Sequence, residues 1–409
     1  VPRRPISLFR RIERALETIA QGSTPRDTIR ETAQFLVDSF SHDLGIRGGR
    51  IWAQDDADYE LVDTFGAVSR APIGLRIPRN YPPFDQLLEL GAVVTRRDDP
   101  RLDPRLESEL GTRDWFAAVV VSDGTHVLSF DLDSRPEAHD QVVSTLNIVR
   151  LAVNQKLRAE RVLALLEDAR RIQESILPRR LPSPGDFQIA ARTEPAEIVG
   201  GDFYDVITLG ESTFVVVVAD ATGHGLPAAL QVRDVYTGLR MGLSRDYKIT
   251  RTLERLNRII HRSRLATNFV TLFLAEVDLA GNVTYCNAGH PPALIVRQDG
   301  STERLSNGGL ILGPNPNATY SIGLERLEPG DSLVLYSDGI TETRRPGTDE
   351  EYSEQRLIRL LRHSRGLSAR ETVERIFAAV ASFSASPPED DRTVVVVKRK
   401  TQPASEGKP

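Results

Sequence analysis

One cysteine, Cys286, stands in a chain of 409 residues. No internal disulfide is open to it, which fits a reducing cytoplasm as the expected location. Long apolar runs are missing too: none approaches the ~20 residues of a membrane span, and no signal-peptide pattern opens the sequence. There is no basic excess either. The net charge of −5, with no basic tract, argues against nucleic acid as the main partner. Methionine does not come first; the chain opens on Val1, as a piece of a longer protein would. A content of 40% hydrophobic and 27% charged residues is that of a soluble globular protein, and the length suits two domains.

The most informative stretch is Asp220-Ala-Thr-Gly-His-Gly-Leu-Pro227, after the apolar run Phe214–Ala219. That run reads as a buried strand, and the two glycines free the backbone to turn before a helix begins near Leu226. A carboxylate is thereby held at the lip of a sheet. Three other acidic spots share that setting: Val199-Gly-Gly-Asp202-Phe-Tyr-Asp205, Ser337-Asp338-Gly-Ile-Thr-Glu342 after Leu333–Tyr336, and Glu389-Asp390-Asp391-Arg-Thr393 before Val394–Val397. A single such acid is usually a turn residue or a helix cap. Four at four strand ends are what a carboxylate-rich site for Mg²⁺ or Mn²⁺ requires.

Residues 172–398 resemble a PPM-type metal-dependent serine/threonine protein phosphatase of the bacterial SpoIIE-like branch. The words that carry the resemblance, in family order, are Ile172–Pro178, Val199–Asp205, Asp220–Pro227, Cys286–Pro292, Pro329–Glu342 and Asp390–Thr393. The resemblance implies two packed antiparallel sheets flanked by helices, with two Mn²⁺ or Mg²⁺ ions at one end. It implies that Asp220 bridges the ions, with the Ala221 carbonyl as a further, mostly water-mediated ligand. Asp338 and Asp390 would hold the second ion, Asp202 would serve the cluster or its waters, and Asp391 would replace Asp390 if the register is off by one. Such ions acidify a water and neutralise charge building on phosphorus, so no covalent phosphoenzyme is needed and Cys286 is not expected as a nucleophile. The substrate implied is a phosphorylated protein, frequently an antagonist of an anti-sigma factor. Two rivals stay open at this point, a non-catalytic pseudophosphatase scaffold and a hydrolase of small phosphoesters. His224 and His290 could meet phosphate, but a histidine bracing a loop is the simpler reading of both.

The expected fold class is α+β: a C-terminal α-β-β-α sandwich joined by a long, coiled-coil-like helix to an N-terminal α/β domain. Residues 1–22 read as a helix, with a stripe at Ile6, Phe9, Ile12, Leu16 and Ile19. Residues 23–136 resemble a GAF-type sensor domain, with a PAS-like domain as the alternative. Strands are expected at Arg50–Ala53, Tyr59–Thr64, Phe116–Val121 and His126–Asp131, the last two joined by a hairpin turn at Asp123-Gly124. With no cysteine there, a cysteine-linked tetrapyrrole is excluded. His42, His126 and His139 could ligate haem or a metal but are more simply structural. Residues 137–180 form the linker, 181–400 the phosphatase domain and 401–409 a disordered tail. The linker carries two three-four seams, Val142, Leu146, Val149, Val153 and then Val162, Leu165, Ala169, Ile172, Ile176, out of phase across 154–161. A homodimer through this helix is expected, with a register change as the route of control. The alternative is a helix packed along its own domains.

Overall fold

The computed structural model describes residues 25–401 apart from 57, 69–71, 134–138, 224, 244–247 and 264–268. The helix expected over 6–20 and the tail after 401 lie outside the described residues, as does His224. The chain divides into two compact units, 1–164 and 165–409.

In the first unit, six antiparallel strands form one sheet: β1 (Ile46–Asp55), β2 (Asp58–Gly66), β3 (Arg76–Pro78), β4 (Ala92–Arg96), β5 (Trp115–Val121) and β6 (His126–Leu132), in the order β3-β2-β1-β6-β5-β4. One face packs on helix α1 (Pro25–Leu44) and on the first half of a 36-residue helix, His139–Glu174. The other face lies under α2 (Pro82–Leu90) and α3 (Pro104–Leu110). The β5–β6 connection is not a two-residue hairpin turn. Ser122, Asp123 and Gly124 take φ of 55°, 54° and 95° in a 3₁₀ turn, a conformation unusual outside glycine.

The long helix explains its own break in pattern. Val142, Leu146, Val149 and Val153 are core of the first unit, each at most 2% exposed. This first seam is therefore occupied within the chain and is not a coiled-coil surface. The polar stretch that follows has partners of its own. Asn154 Oδ1 accepts the Ser122 N–H at 2.7 Å, Arg158 pairs with Asp123 at 2.6 Å, and Glu160 binds Lys156 and the Thr28 hydroxyl. Val162, Leu165 and Ile172 are more than half exposed. Ile176 is partly buried against the core of the second unit.

The second unit stacks two sheets between helix pairs. Sheet one runs β14-β11-β10-β9-β8, with β15 on the edge of β11: β8 (Asp202–Leu209), β9 (Thr213–Ala221), β10 (Val270–Asp278), β11 (Asn282–Ala288), β14 (Gly308–Gly309) and β15 (Gly323–Arg326). Sheet two runs β13-β12-β16-β17-β7: β7 (Phe187–Glu194), β12 (Ala293–Val296), β13 (Thr302–Leu305), β16 (Ser332–Tyr336) and β17 (Arg392–Arg399). Alternation along each strand fills two cores. Phe214, Val216 and Val218 meet Leu333, Leu335, Val395 and Val397 between the sheets. Val215, Val217 and Ala219 face the helices Leu226–Leu243 and Ile249–Arg262. Val394 and Val396 face the helices Glu354–His363 and Ala369–Phe383. A strand buried on both faces needs no polar alternation, hence the unbroken valine runs. The α-β-β-α order is thus present.

Candidate metal centre between the sheets

Asp202, Asp220, Asp338, Asp390 and Asp391 all sit where a strand reaches the same end of the inter-sheet space. Asp202 opens β8, Asp220 nearly closes β9, and the two are direct cross-strand partners. Tyr204 and Val206 face the inter-sheet core, as do Val216 and Val218. The two-residue period of a strand therefore turns Asp202 and Asp220 to that same side. Asp205 is three residues on and faces the other way, where Arg240 holds it at 2.7 Å. Two acids from one motif are thus parted by strand geometry. Asp338 follows β16 at the start of a single helical turn, Asp338–Thr341, and Asp390 and Asp391 precede β17.

The glycines of Val199-Gly-Gly-Asp202 are required by close approach. A Cβ at Gly200 would lie 2.4 Å from Asp391 Oδ2, and one at Gly201 would lie 2.6 Å from the Ala221 carbonyl oxygen. Asp391 laces the two sheets together. Its Oδ1 accepts the Ala196 N–H at 2.7 Å, and its Oδ2 accepts the N–H groups of Gly201 and Asp202. Ser337 Oγ accepts the Thr393 N–H at 2.9 Å and donates to the Asp391 carbonyl. From the long helix, Gln173 clamps the same loop at two points. Its Nε2 donates to the Gly200 carbonyl at 2.6 Å and its Oε1 accepts the Gly200 N–H at 3.1 Å.

Charge is stored here. Burial pushes the Asp220 carboxyl up to about 7, helped by the carboxylates of Asp338, Asp390 and Asp391. Asp202 is raised well above the usual range by burial and then by Asp220, although the Ser337 and Thr393 hydroxyls favour its charged form. Burial raises Asp338 as well. Glu342, at the other end of the helical turn that Asp338 opens, is raised by burial and by Asp338, Glu351 and Asp390. It follows Asp338 by four residues, the spacing that stacks side chains on one helical face.

Among the described residues no three carboxylate, imidazole or thiol groups close into a cage around one point. Mg²⁺ rarely uses such a cage; it keeps several waters and takes one or two carboxylates. The donor set fits a hydrated divalent cation: mutually repelling carboxylates, and a buried Asp202 Oδ2 with no hydrogen-bond partner among the described residues. His290 is neutral and structural. Its Nδ1 bonds Thr271 Oγ1 at 2.8 Å, and its backbone N–H and carbonyl are both held by the Asn287 amide. Burial drives its pKa down to about 3. Cys286 is buried and its thiol is pushed up to about 12. In the first unit His126 is lowered by burial, and no metal-binding group of three forms around any histidine among the described residues.

Residues 210–400 match the family model described as Stage II sporulation protein E. This range includes Asp220, Asp338, Asp390 and Asp391 but stops short of Asp202. The phosphoserine phosphatase RsbU of Bacillus subtilis is 30% identical over 251 residues, which cover 61% of this chain and 72% of that protein. Protein IcfG of Synechocystis is 33% identical over 264 residues, 57% of this chain but only 41% of IcfG. Among solved structures, the SiaA-PP2C domain of Pseudomonas aeruginosa superposes with a TM-score of 0.52 at 21% identity, covering 59% of this chain and 98% of that domain, a likeness of fold.

Proposed function

Because the chain belongs to the SpoIIE family of PPM-type serine/threonine phosphatases, we propose that it removes phosphate from phosphoserine or phosphothreonine on a partner protein. The partner class we favour is the antagonist of an anti-sigma factor. The observation that carries the reading is the convergence of Asp202, Asp220, Asp338 and Asp390 at one end of the inter-sheet space, with Asp220 pushed up to about 7. Mg²⁺ or Mn²⁺ would be held by Asp220, Asp338 and Asp390, with the Ala221 carbonyl and Asp202 serving them directly or through waters. When bound, the ions supply positive charge opposite phosphate and a more acidic water.

The chain's own residues do the rest. Asp391 spends both oxygens on backbone N–H groups, so its role in this reading is to orient the Gly201–Asp202 loop, and Asp390 takes the ligand position. Asn287 and His290 hold β11 and β10 in register beside Asp220. A cleft lined by Glu342, Arg344, Asp390 and Arg392 opens beside the acids, and its arginines suit an anionic phosphoprotein. The first unit is read as a GAF-like sensor, and the exposed stripe Val162, Leu165, Ile172 as a contact between two copies. Hydrolysis of an aryl phosphate with Mn²⁺, with Mg²⁺ and with chelator tests the activity. Asp220→Asn and Asp338→Asn should each lower turnover at least a thousandfold while the protein stays folded by circular dichroism. Full turnover in excess chelator, or in both variants, would overturn the reading.

A further inference from the structure

The helices Leu226–Leu243 and Ile249–Arg262 cover the outer face of sheet one as a close-packed pair. A Cβ at Gly242 would lie 2.4 Å from Thr252, and one at Gly238 would lie 2.8 Å from Leu256, so the two run antiparallel. Val232, Val235 and Leu239 of the first and Leu253, Leu256 and Ile260 of the second pack into the core beneath. The opposite faces are open. The pair starts and ends at the metal end of the sheet. Leu226 follows Asp220 by six residues, and β10, which comes after the second helix, starts with Val270 opposite Ala221.

The open face of the second helix carries Arg251, Arg255, Arg258 and Arg262, all exposed, at steps of four, three and four. That spacing stacks side chains in one row, and like charges so placed destabilise a helix. The helix dipole accounts for Arg262 in the last turn. It works against Arg251, which stands in a first turn that holds no acidic residue. Arg251, Arg258 and Arg262 have no ion-pair partner among the described residues. Elsewhere in this unit Arg170, Arg192, Arg297 and Arg304 are each paired at 3.0 Å or less. The two helices together hold six arginines against Asp234 and Glu254, in a chain whose net charge is −5.

Aliphatic side chains lie among these charges. Leu230, Met241 and Ile259 are 43%, 65% and 49% exposed, and open apolar groups rimmed by charge mark protein contacts. Methionine in such a face adapts to the surface it meets. A nucleic-acid backbone would leave these aliphatic groups uncovered, and the negative balance of the chain opposes both nucleic acid and an anionic membrane.

We propose that this face docks an acidic, amphipathic segment of the phosphorylated partner protein. Its carboxylates lie on the arginine row and its apolar side on Leu230, Met241 and Ile259. The row is about 17 Å long and ends at the metal end, so the docked partner presents its phosphoserine to the acids there. What the docking serves rests on the phosphatase reading above.

The test uses the full chain and synthetic peptides. The first peptide joins one phosphoserine, through a glycine-serine linker, to a leucine-bearing helix rich in glutamate. The second has glutamine at every glutamate. Phosphate release with Mn²⁺ gives kcat/KM, and fluorescence anisotropy of the unphosphorylated forms gives Kd without turnover. The glutamate peptide should be favoured at least tenfold in both readouts, and added salt should erase the difference. Arg251→Gln, Arg258→Gln and Arg262→Gln combined should remove the preference, with aryl phosphate turnover and the melting profile unchanged. Arg258→Glu alone, the variant to read if the triple change unfolds the protein, should lower it at least threefold. Ile259→Ser should weaken both peptides severalfold. The proposal is overturned by equal binding of the two peptides, by a preference that survives the arginine changes, or by unchanged binding in Ile259→Ser. Tighter binding of a short DNA duplex or of phosphatidylserine vesicles would overturn it as well. Docking without phosphate release from any substrate supports the surface and sinks the phosphatase reading. Aryl phosphate turnover without glutamate preference sinks the docking alone.

Discussion

Gln173 and His290 lie outside the acid set and hold the backbone beside it. Gln173 reaches from the long helix to both backbone groups of Gly200, two residues before Asp202. Its loss leaves a donor and an acceptor to find water, at a cost of about 1–3 kcal/mol for the loop. Gln173→Ala is expected to lower kcat several-fold and to weaken Mn²⁺ binding by calorimetry, with the melting temperature of the second unit little changed. Unchanged metal affinity and kcat would show that the clamp is only structural. His290 has a pKa driven down to about 3 by burial, against about 6.5 unfolded. Below pH 6.5 the unfolded chain takes up a proton that the folded chain refuses, so His290 removes stability as pH falls from 6.5 toward 3. Between pH 6 and pH 5 this amounts to about 1 kcal/mol. Urea unfolding of wild type and His290→Gln at both pH values should differ in slope by that amount, and parallel slopes would refute the buried neutral state.

At the scale of elements, the helix His139–Glu174 divides into a part that is core and a part that is open. Its first seam is spent on the sheet of the first unit, and Asn154, Arg158 and Glu160 fasten the next stretch to the β5–β6 turn and to α1. A register change through the whole helix would have to break that core, so control by sliding of residues 142–161 does not follow from the fold. What stays free for pairing is Val162, Leu165 and Ile172. Leu165→Glu with Ile172→Glu should convert a dimer to a monomer in light scattering at unchanged helix content. Monomeric wild type at tens of micromolar would end the dimer proposal. No helix among the described residues is long and apolar enough to cross a membrane.

For the molecule as a whole, the boundary of the two units at 164 and 165 decides where a truncation is informative. A cut after residue 140 would strip the first unit from Val142, Leu146, Val149 and Val153 and leave an apolar face in water, which marks an aggregation surface. A cut after 164 removes the first unit with its own core intact. The chain beginning at 165 is expected to stay folded and to keep its metal-dependent aryl phosphatase activity, but with turnover on a phosphoprotein changed severalfold. Insertion of three or four residues near Gln155 should destabilise the first unit, because that position lies inside its packed segment. Equal rates and metal affinities in all of these proteins would make the long helix a tether and nothing more.

The sequence by itself determined the strands and the acids at their ends. Apolar runs flanked by Asp220, Asp338 and Asp390 are local signals, because burial on both faces selects apolar residues continuously. In the first unit it determined four of the six strands, β1, β2, β5 and β6, and left out the short β3 and β4, whose few residues carry too little alternation to stand out. Only the tertiary structure decided which acid faces which space. Asp202 and Asp205 share one motif, yet strand alternation sends one to the inter-sheet space and the other to Arg240. Asp391 looked like a reserve ligand, but sheet two brings its oxygens to three N–H groups nearly two hundred residues away. The two seams of the long helix look alike in sequence because an apolar stripe records only that something covers it. Whether that cover is the chain's own sheet or a second copy depends on where the rest of the chain folds back.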